Sequence, residues 1–585
     1  MLTLAPRSRR PLCWSAVTLL SIVAGQAFAD VPAALDRAPK GAVLAIGFRD
    51  VGALRTRLGG MLKKFEAPME ETPLAQIDKF LNADGFNKGG SAAFVLLGDP
   101  GQEDFDPENA VVIAPVSDFK KFAAAMGGDG TQKIVMLAEI APTAAAKDIG
   151  GGFMVMGEEP AVRAFEGPAG QIAGHKTVLG KAGGRIADTS DVVVISNLGK
   201  LNKQMSEGIA GFKDQMGMFA AMAGGNADMA KGMEQMQKGM EAFARDVQTG
   251  LMGLTMNEAG VSMDFAAQFK DGSEMGGAFQ HAGKLEGVVG KLPKIPYLFA
   301  GAIDMSNPTL RKIVQQMSEV SAAGAGNAAA KMLDKVQAQG FIMGTNAALL
   351  QAGLFANTLS YSQTTDPAGV IAIQKEGIEK TNGTEQQGVK YTSSFTPGGA
   401  EVAGRKVDTW KMKMEIDPNS DAAAQMQQMM MIFTGQSGEM TGMVAATKTG
   451  VVTTMSSNSE LMGKALDASE GKNGLADDAQ LKVSASALPP GRTFELFLGV
   501  KGIIDTVGGL MQNFGMPLPF EVGADMPPIA VGGTTDGGGA AIRLHVPMAV
   551  IDEAAKIIKK MKEGDEADKP EQDEKPKEER RKPRF

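Results

Sequence analysis

Short apolar runs alternate with segments of helical periodicity along most of the chain. The stretches that start at Gly41, Asp191, Tyr297 and Arg492 each open with an apolar or β-branched run. Each then passes a polar or small break and continues with apolar residues at helical spacing. The first part is typical of a strand and the second of an amphipathic helix. The sequence therefore predicts strand–helix units that recur along the chain.

Helix start signals occur at the expected places in these units. Asp50 precedes one predicted helix, and Asn307 followed by Pro308 precedes another. Short polar residues are favoured at the N-cap and proline at the first helical position. A second arrangement, a strand followed by a polar start and a helix, occurs at residues 151–165 and again at 450–466.

The two parts of the chain also end with similar hydrophobic patterns. Residues 259–276 and 538–558 both begin with alternating apolar and polar positions, as a half-buried strand does. We therefore predict two related tandem halves, 30–290 and 291–563, joined at residues 291–296. The expected fold class is α+β, with mainly antiparallel sheets and helices packed on one face. The alternative is that unrelated strand–helix units of an ordinary α+β protein happen to follow one another in this way.

The N-terminus has the three parts of a secretory signal. Residues 7–10 are mostly basic, a short apolar core follows, and Ala27 and Ala29 precede Asp30. This order predicts a signal peptide, residues 1–29, and an exported protein in the periplasm or outside the cell. A retained anchor is the alternative, although the apolar core is shorter than the roughly 20 residues that a membrane span needs.

Composition excludes several classes of function. The net charge is −8, without a basic stripe, so a nucleic-acid partner is not expected. The one cysteine, Cys13, lies inside the signal, which leaves no disulfide or thiolate in the mature chain. No stretch of the mature chain reads as a membrane span. Residues 564–585 are almost all charged or proline, and we expect a disordered tail.

Methionines are concentrated in residues 229–240. Met229, Met233, Met236 and Met240 fall on one side of a helix and form a candidate apolar surface. Phe243 and Val247 continue the same spacing, which favours a packed apolar seam over a copper(I) site. A surface for a varied apolar ligand is a further alternative, because methionine adapts to irregular shapes.

Neither a second methionine cluster nor the histidines indicate a catalytic or metal-binding site. Residues 426–433 are apolar all round, which predicts a buried helical segment. The three histidines, His175, His281 and His545, are far apart, and His545 alternates with Leu544 so that we expect it to be exposed. No serine elbow, dinucleotide fingerprint or metal-ligand spacing occurs, so we predict no catalytic, cofactor-binding or metal residues and no cofactor.

The chain resembles uncharacterised secreted bacterial proteins that combine a signal peptide with repeated strand–helix modules. Residues 474–503 carry the resemblance most clearly, with a polar helix, a turn at Pro489 and Pro490, and a strand. The resemblance implies an exported protein and brings no catalytic motif with it.

Three functions follow as hypotheses. The first is an exported non-catalytic protein with a binding or structural role in the cell envelope. The second is a periplasmic carrier of a lipid or another apolar ligand. The third is a hydrolase whose site forms from scattered acidic residues. The expected partner is an unidentified protein or apolar ligand.

Overall fold

The structure is a computed structural model of the chain. It describes the following residues: 32–39, 42–66, 74–97, 109–165, 179–203, 205–210, 227–285, 287–308, 311, 326–346, 352–386, 389–417, 423–513, 515–516, 518, 520, 522–523 and 525–567. The signal peptide, its cleavage residues Ala27, Ala29 and Asp30, and most of the charged tail lie outside these ranges.

The described strands all belong to one 20-stranded sheet. In the first half they are β1 (Leu44–Phe48), β2 (Ala92–Leu96), β3 (Ala110–Pro115), β4 (Val135–Met136), β5 (Ala144–Gly150), β6 (Phe153–Glu158), β7 (Val192–Ser196), β8 (Val247–Asn257) and β9 (Gly260–Phe269). In the second half they are β10 (Tyr297–Asp304), β11 (Ala338–Gly344), β12 (Thr358–Gln363), β13 (Glu385–Gln386), β14 (Val389–Val402), β15 (Arg405–Ile416), β16 (Glu439–Ala446), β17 (Gly450–Thr454), β18 (Arg492–Leu498), β19 (Ile529–Asp536) and β20 (Gly539–Pro547).

The described α-helices connect these strands. The helices of the first half are α1 (Val51–Lys64), α2 (Leu74–Leu81), α3 (Phe119–Ala125), α4 (Glu159–Ala164), α5 (Gly180–Thr189), α6 (Ala227–Asp246) and α7 (Glu274–Ala278). Those of the second half are α8 (Gly326–Lys335), α9 (Pro367–Thr381), α10 (Ala423–Thr434), α11 (Ser459–Ser469), α12 (Ala479–Ser486), α13 (Val500–Asn513) and α14 (Met548–Ala567).

The predicted start signal at Asp50 is confirmed, while the helix predicted after Asn307 lies mostly outside the described residues. The Asp50 side chain accepts a hydrogen bond from the Ala53 amide at 2.8 Å and caps α1. Asn458 caps α11 by accepting from the amides of Glu460 and Leu461. Such caps satisfy amides that have no partner within the helix.

In space the strands follow an order different from that of the chain. The order is β4-β5-β6-β3-β2-β1-β7-β8-β9-β20-β19-β18-β10-β11-β12-β17-β16-β15-β14-β13, and every neighbouring pair is antiparallel. The fold class is therefore α+β, as predicted. The two halves of the chain meet at the β9–β20 pair.

The connectivity of one half repeats that of the other. Strands β10, β11, β12, β17, β18, β19 and β20 have neighbours equivalent to those of β1, β2, β3, β6, β7, β8 and β9. The halves differ in the strands added before β6 and before β17, which are β4–β5 in the first half and β13–β16 in the second. A common origin of the halves stays a prediction.

The sheet has two faces, which we name after adjacent residues of β9. On the Asp264 face, α4 and α5 pack in the first half and α11 and α12 in the second. On the Phe265 face, α1, α2 and α3 pack in the first half and α8 and α9 in the second. Adjacent strand residues such as Val451 and Val452 are therefore both buried, each under a different helix layer.

This layering corrects the expectation of several sheets with helices on one face. Alternation in β9 and β20 suggested one solvated face, but a strand such as β2, "AAFVL", is apolar and buried on both sides. Continuously apolar strands require cover on both faces.

Two boundaries also differ in detail from the predicted ones. Leu285, Val288 and Val289 precede the expected joint at 291–296 but pack in a core cluster of the second half. At the other end, α14 continues to Ala567, which takes it into the segment 564–585 that we expected to be disordered.

Candidate apolar binding surface

Large apolar side chains are exposed in a row across the middle of the sheet. Met252 in β8 lies opposite Phe265 in β9, which lies opposite Ile542 in β20. Their exposed fractions are 41%, 43% and 45%. Residues directly opposite in antiparallel strands share a face, so the row lies on the Phe265 face.

A second apolar row runs beside the first. Leu254, Met263, Leu544 and Val531 are opposite one another in β8, β9, β20 and β19, and each is half-buried. We name the combined surface the central strip, and its residues are Met252, Leu254, Met263, Phe265, Phe494, Val531, Ile542 and Leu544.

Phe494 completes the first row from β18. Gly533 in β19 is opposite both Ile542 and Phe494. A Cβ atom at Gly533 would lie 2.0 Å from Phe494 Cε1, so the Phe494 ring lies over the glycine. Five strands spaced by about 4.8 Å give the strip a width of roughly 19 Å.

The polarity of the central strands is inverted relative to an ordinary half-covered sheet. In β9, Ser262 and Asp264 are buried at 7% and 2% exposure, whereas Phe265 on the opposite face is 43% exposed. A buried polar face opposite an exposed apolar face is informative, since isolated exposed apolar residues are common but contiguous patches mark binding sites.

A bidentate ion pair lies at the centre of the Asp264 face. Arg543 donates from Nε to Asp264 Oδ1 at 2.7 Å and from Nη2 to Oδ2 at 2.9 Å. Its Nη1 donates to the Ala487 carbonyl at 3.0 Å. Burial raises the pKa of Asp264, and Arg543 opposes that shift. The pair links β9 to β20, and so links the two halves.

His545 lies beside this pair and is buried, which corrects its predicted exposure. The alternation correctly placed His545 and Leu544 on different faces of the strand. The Asp264 face, which carries His545, is covered, and His545 is only 2% exposed. Its Nδ1 is 2.9 Å from Ser262 Oγ. Burial lowers the His545 pKa, which favours the neutral ring. The contact therefore acts as a second polar tie between β9 and β20.

The methionine-rich segment is helical, as predicted, and forms part of α6. The surroundings of the Met229, Met233 and Met236 side chains lie outside what the structure describes. Met240 is half-buried. Phe243 contacts Phe269 edge to face, with ring centroids 5.6 Å apart.

The continuation of this seam ends earlier than predicted. The helix α6 stops at Asp246, and Val247 is the first residue of β8. Val247 is fully buried, but it is buried as a strand residue. Its spacing from Phe243 fits a helix by coincidence, so spacing alone does not tie it to the methionine seam.

The second methionine cluster, residues 426–433, is less buried than predicted. Met431 and Ile432 are 46% and 44% exposed. Phe433 stacks on Phe355 with centroids 5.1 Å apart. A helix that is apolar all round therefore packs on one side and exposes the other.

The titratable candidates from the sequence do not converge in the described ranges. His281 is exposed, His545 is buried, and His175 lies outside those ranges. Within the part of the chain that the structure describes, no group of three His, Cys, Asp or Glu residues is placed to hold a metal ion. Away from the strip, burial raises the pKa of Asp191 to about 6.

The strip residues were not identified as a site from the sequence. The sequence feature that could have revealed them is a charged residue between two large apolar residues in each central strand. Met263 and Phe265 flank Asp264, and Ile542 and Leu544 flank Arg543. Charged residues at the positions expected to face solvent are ordinary in an amphipathic strand. The inversion becomes visible only when the tertiary structure shows which face is covered.

Comparisons with known proteins add no assignment. No protein-family model and no curated protein match the chain. A solved structure described as crystal form III of TP0453 is similar over 42% of this chain and 82% of that chain, at 10% identity and a TM-score of 0.21. A TM-score of this size supports no conclusion about fold or function. Among the described helices, none is both long and apolar enough to cross a membrane.

Proposed function

We propose that the chain is an exported, non-catalytic binding protein and that its ligand is a lipid or another apolar molecule. The observation that carries the proposal is the inverted polarity of the central strands, with Phe265 exposed and Asp264 buried. Burial of an exposed apolar side chain contributes roughly 1.5–3 kcal/mol, so covering the strip would give a substantial binding energy.

The chemistry of the strip favours a hydrocarbon over a polar ligand. Its side chains are aliphatic, thioether or phenyl groups, and the backbone amides and carbonyls beneath them pair within the sheet. It therefore offers apolar contact without hydrogen-bond donors. Met252 and Met263 can adapt their shape to a flexible chain.

A protein partner in the cell envelope is the other candidate occupant. Protein interfaces usually combine an apolar centre with Tyr, Trp or Arg anchors and a polar rim. The strip has the phenylalanine and methionine that interfaces also favour, but none of the Tyr, Trp and Arg anchors that supply most of their binding energy, which supports the apolar ligand as the first choice.

The non-catalytic part of the proposal rests on how the central polar groups are used. Asp264 is bonded to Arg543, and Ser262 to His545, all on the covered face. These groups are committed to joining β9 with β20, on the side away from the strip.

Lipid analysis of protein purified from its own host tests the ligand. We expect mass spectrometry to find a co-purified apolar molecule in the wild type and much less in the triple variant Met252→Ser/Phe265→Ser/Ile542→Ser. Val483→Ser is the matched control, since Val483 is 48% exposed but lies in α12, away from the strip. Equal lipid in all three proteins would overturn the proposal.

Export has a separate test. Sequencing of the mature N-terminus should begin with Asp30, because Ala27 and Ala29 fit the signal peptidase positions. Recovery of the intact N-terminus in the soluble cytoplasm would contradict export without affecting the ligand.

A further inference from the structure

The central strip has an internal two-fold relation that follows from strand register. The β8–β9 hairpin closes with Asn257 opposite Gly260, and the β19–β20 hairpin closes with Asp536 opposite Gly539. Both turns therefore hold two residues between the closing pair, which makes Gly260 and Gly539 equivalent positions in the two halves.

The β9–β20 pair fixes where the two-fold axis lies. Gly260 is opposite Pro547 and Gly539 is opposite Gln268, so the middle pair is Asp264 with Arg543. Each of these two residues occupies the same place after its own hairpin glycine. In a two-fold pairing, a residue on the axis meets its own equivalent. The axis therefore passes between Asp264 and Arg543.

The same relation divides the central strip into two equivalent lobes. Phe265 is equivalent to Leu544, and Met263 to Ile542, by their places after the hairpin glycines. The first lobe lies on β8 and β9; its residues are Met252, Leu254, Met263 and Phe265. The second lies on β20, β19 and β18; its residues are Ile542, Leu544, Val531 and Phe494.

The lobes are alike in chemistry and touch along the axis. Leu254 corresponds to Gly533, and the Phe494 ring fills the space that the glycine leaves. Phe265 and Ile542, one from each lobe, are directly opposite, with no polar position between them. Directly opposite residues have Cβ atoms about 5 Å apart, so the lobes form one surface.

We propose that the strip binds one lipid with two hydrocarbon chains, with one chain on each lobe. This inference rests on the proposed function and names the class of its ligand. A single-chain ligand on one lobe leaves the equivalent lobe exposed to water. Joining two chains in one molecule makes the second contact intramolecular, which raises the affinity by on the order of 100-fold over one chain.

The test compares two lipids on the full-length mature protein. The probes are a monoacyl and a diacyl phosphatidylcholine with short chains of equal length, both below their micelle-forming concentrations. Native mass spectrometry gives the stoichiometry and calorimetry gives the affinity. We expect one diacyl lipid per chain, bound on the order of 100-fold more tightly than the monoacyl lipid.

Equivalent variants in the two lobes sharpen the test. Phe265→Ser and Leu544→Ser should each weaken diacyl binding about tenfold or more, while monoacyl binding persists on the intact lobe. Val483→Ser should leave both lipids unaffected.

The outcomes separate this inference from the proposed function. Two diacyl lipids bound per chain, or equal affinity for the two lipids, would overturn the two-chain ligand and leave an apolar-ligand protein. Loss of binding in Phe265→Ser with none in Leu544→Ser would overturn it in the same way. Binding of neither lipid by the wild type would contradict both proposals.

Discussion

The two halves of the sheet follow the same path with different side chains. At equivalent places on the Asp264 face, β3 carries Ile113 and β12 carries Tyr361, and both are fully buried. Nearer the centre, β7 carries Ile195 and β18 carries Phe497, and each lies opposite a buried alanine, Ala45 or Ala300. The side-chain volume in the core is distributed differently between the halves, but the pattern of buried positions is the same.

The halves differ more at their central turns and at the axis between them. The β8–β9 turn is Glu258–Ala259, whereas the β19–β20 turn is Gly537–Gly538 with positive φ at both residues. At the axis, Asp264 faces Arg543. Two identical halves would place like charges there, which would repel. Opposite charges at one equivalent position are available only to halves whose sequences have diverged or were never the same.

Core truncation at equivalent positions should have the largest effect. We expect Phe497→Ala to lower the free energy of unfolding by about 4 kcal/mol and Ile195→Ala by about 3 kcal/mol, because each leaves a cavity in a closed part of the core. Urea denaturation measures both. A loss under about 1 kcal/mol in either half would show that equivalent positions do not bear equivalent packing.

Breaking the ion pair on the axis should come next. Arg543→Leu leaves the Asp264 carboxylate buried without its partner and should cost about 3 kcal/mol near neutral pH. The loss should shrink as the pH falls, since protonation removes the buried charge. The double variant Asp264→Leu/Arg543→Leu should recover most of the loss. A double variant no more stable than Arg543→Leu would contradict a paired role.

Reverse exchanges of glycine and alanine should affect the two central hairpins differently. Gly537 has φ +57° and open space around its Cβ position, so Gly537→Ala tests backbone conformation alone. We expect a loss of about 1–2 kcal/mol by thermal or urea denaturation. Ala259→Gly in the equivalent turn should change stability by under about 1 kcal/mol. Equal losses would mean that the turns are less different than their φ angles indicate.

The Tyr361 hydroxyl, which Ile113 in the first half lacks, should contribute modestly to the stability of the fold. Tyr361 Oη lies 2.7 Å from Thr449 Oγ1 and 3.1 Å from its carbonyl oxygen. Tyr361→Phe removes these contacts without changing the packed ring and should cost about 1 kcal/mol in urea. Tyr361→Ile, which places the first-half residue in the second half, should cost more because it leaves a cavity. The reverse order would contradict the assigned roles of ring and hydroxyl.

A pH-dependent difference between the halves should arise at Asp191. Burial raises the pKa of Asp191 to about 6, and the equivalent residue before the body of β18 is Thr493. A carboxyl group has a pKa near 3.9 in the unfolded chain, so the protonated form stabilises the folded state. This contribution is complete below about pH 4 and is lost as the pH rises through about 6.

Asp191→Asn removes that titration. The difference in unfolding free energy between pH 4 and pH 7 should therefore be smaller in the variant than in the wild type. Thr493→Val is the control in the other half, and it should shift the stability without changing its pH dependence. Parallel wild-type and Asp191→Asn profiles across this range would contradict the assignment.

Much of the architecture could be predicted from local pattern. Apolar alternation located β9 and β20, helical spacing located α1, α11 and α13, and Asp50 and Asn458 cap their helices through hydrogen bonds that short polar side chains make within a few residues. These features depend on interactions between near neighbours, so a single sequence contains them.

The candidate site depended on contacts between distant residues. Phe265 and Ile542 are far apart in the chain, and only the β9–β20 register places them side by side. Their exposure depends on how far the elements that pack on the Phe265 face extend over the central strands, and the burial of Asp264 and His545 depends on what packs against the other face. The alternating sequence determined which residues share a face. The tertiary structure decided which face is covered, because burial is a property of the elements that pack against a strand and not of the strand itself.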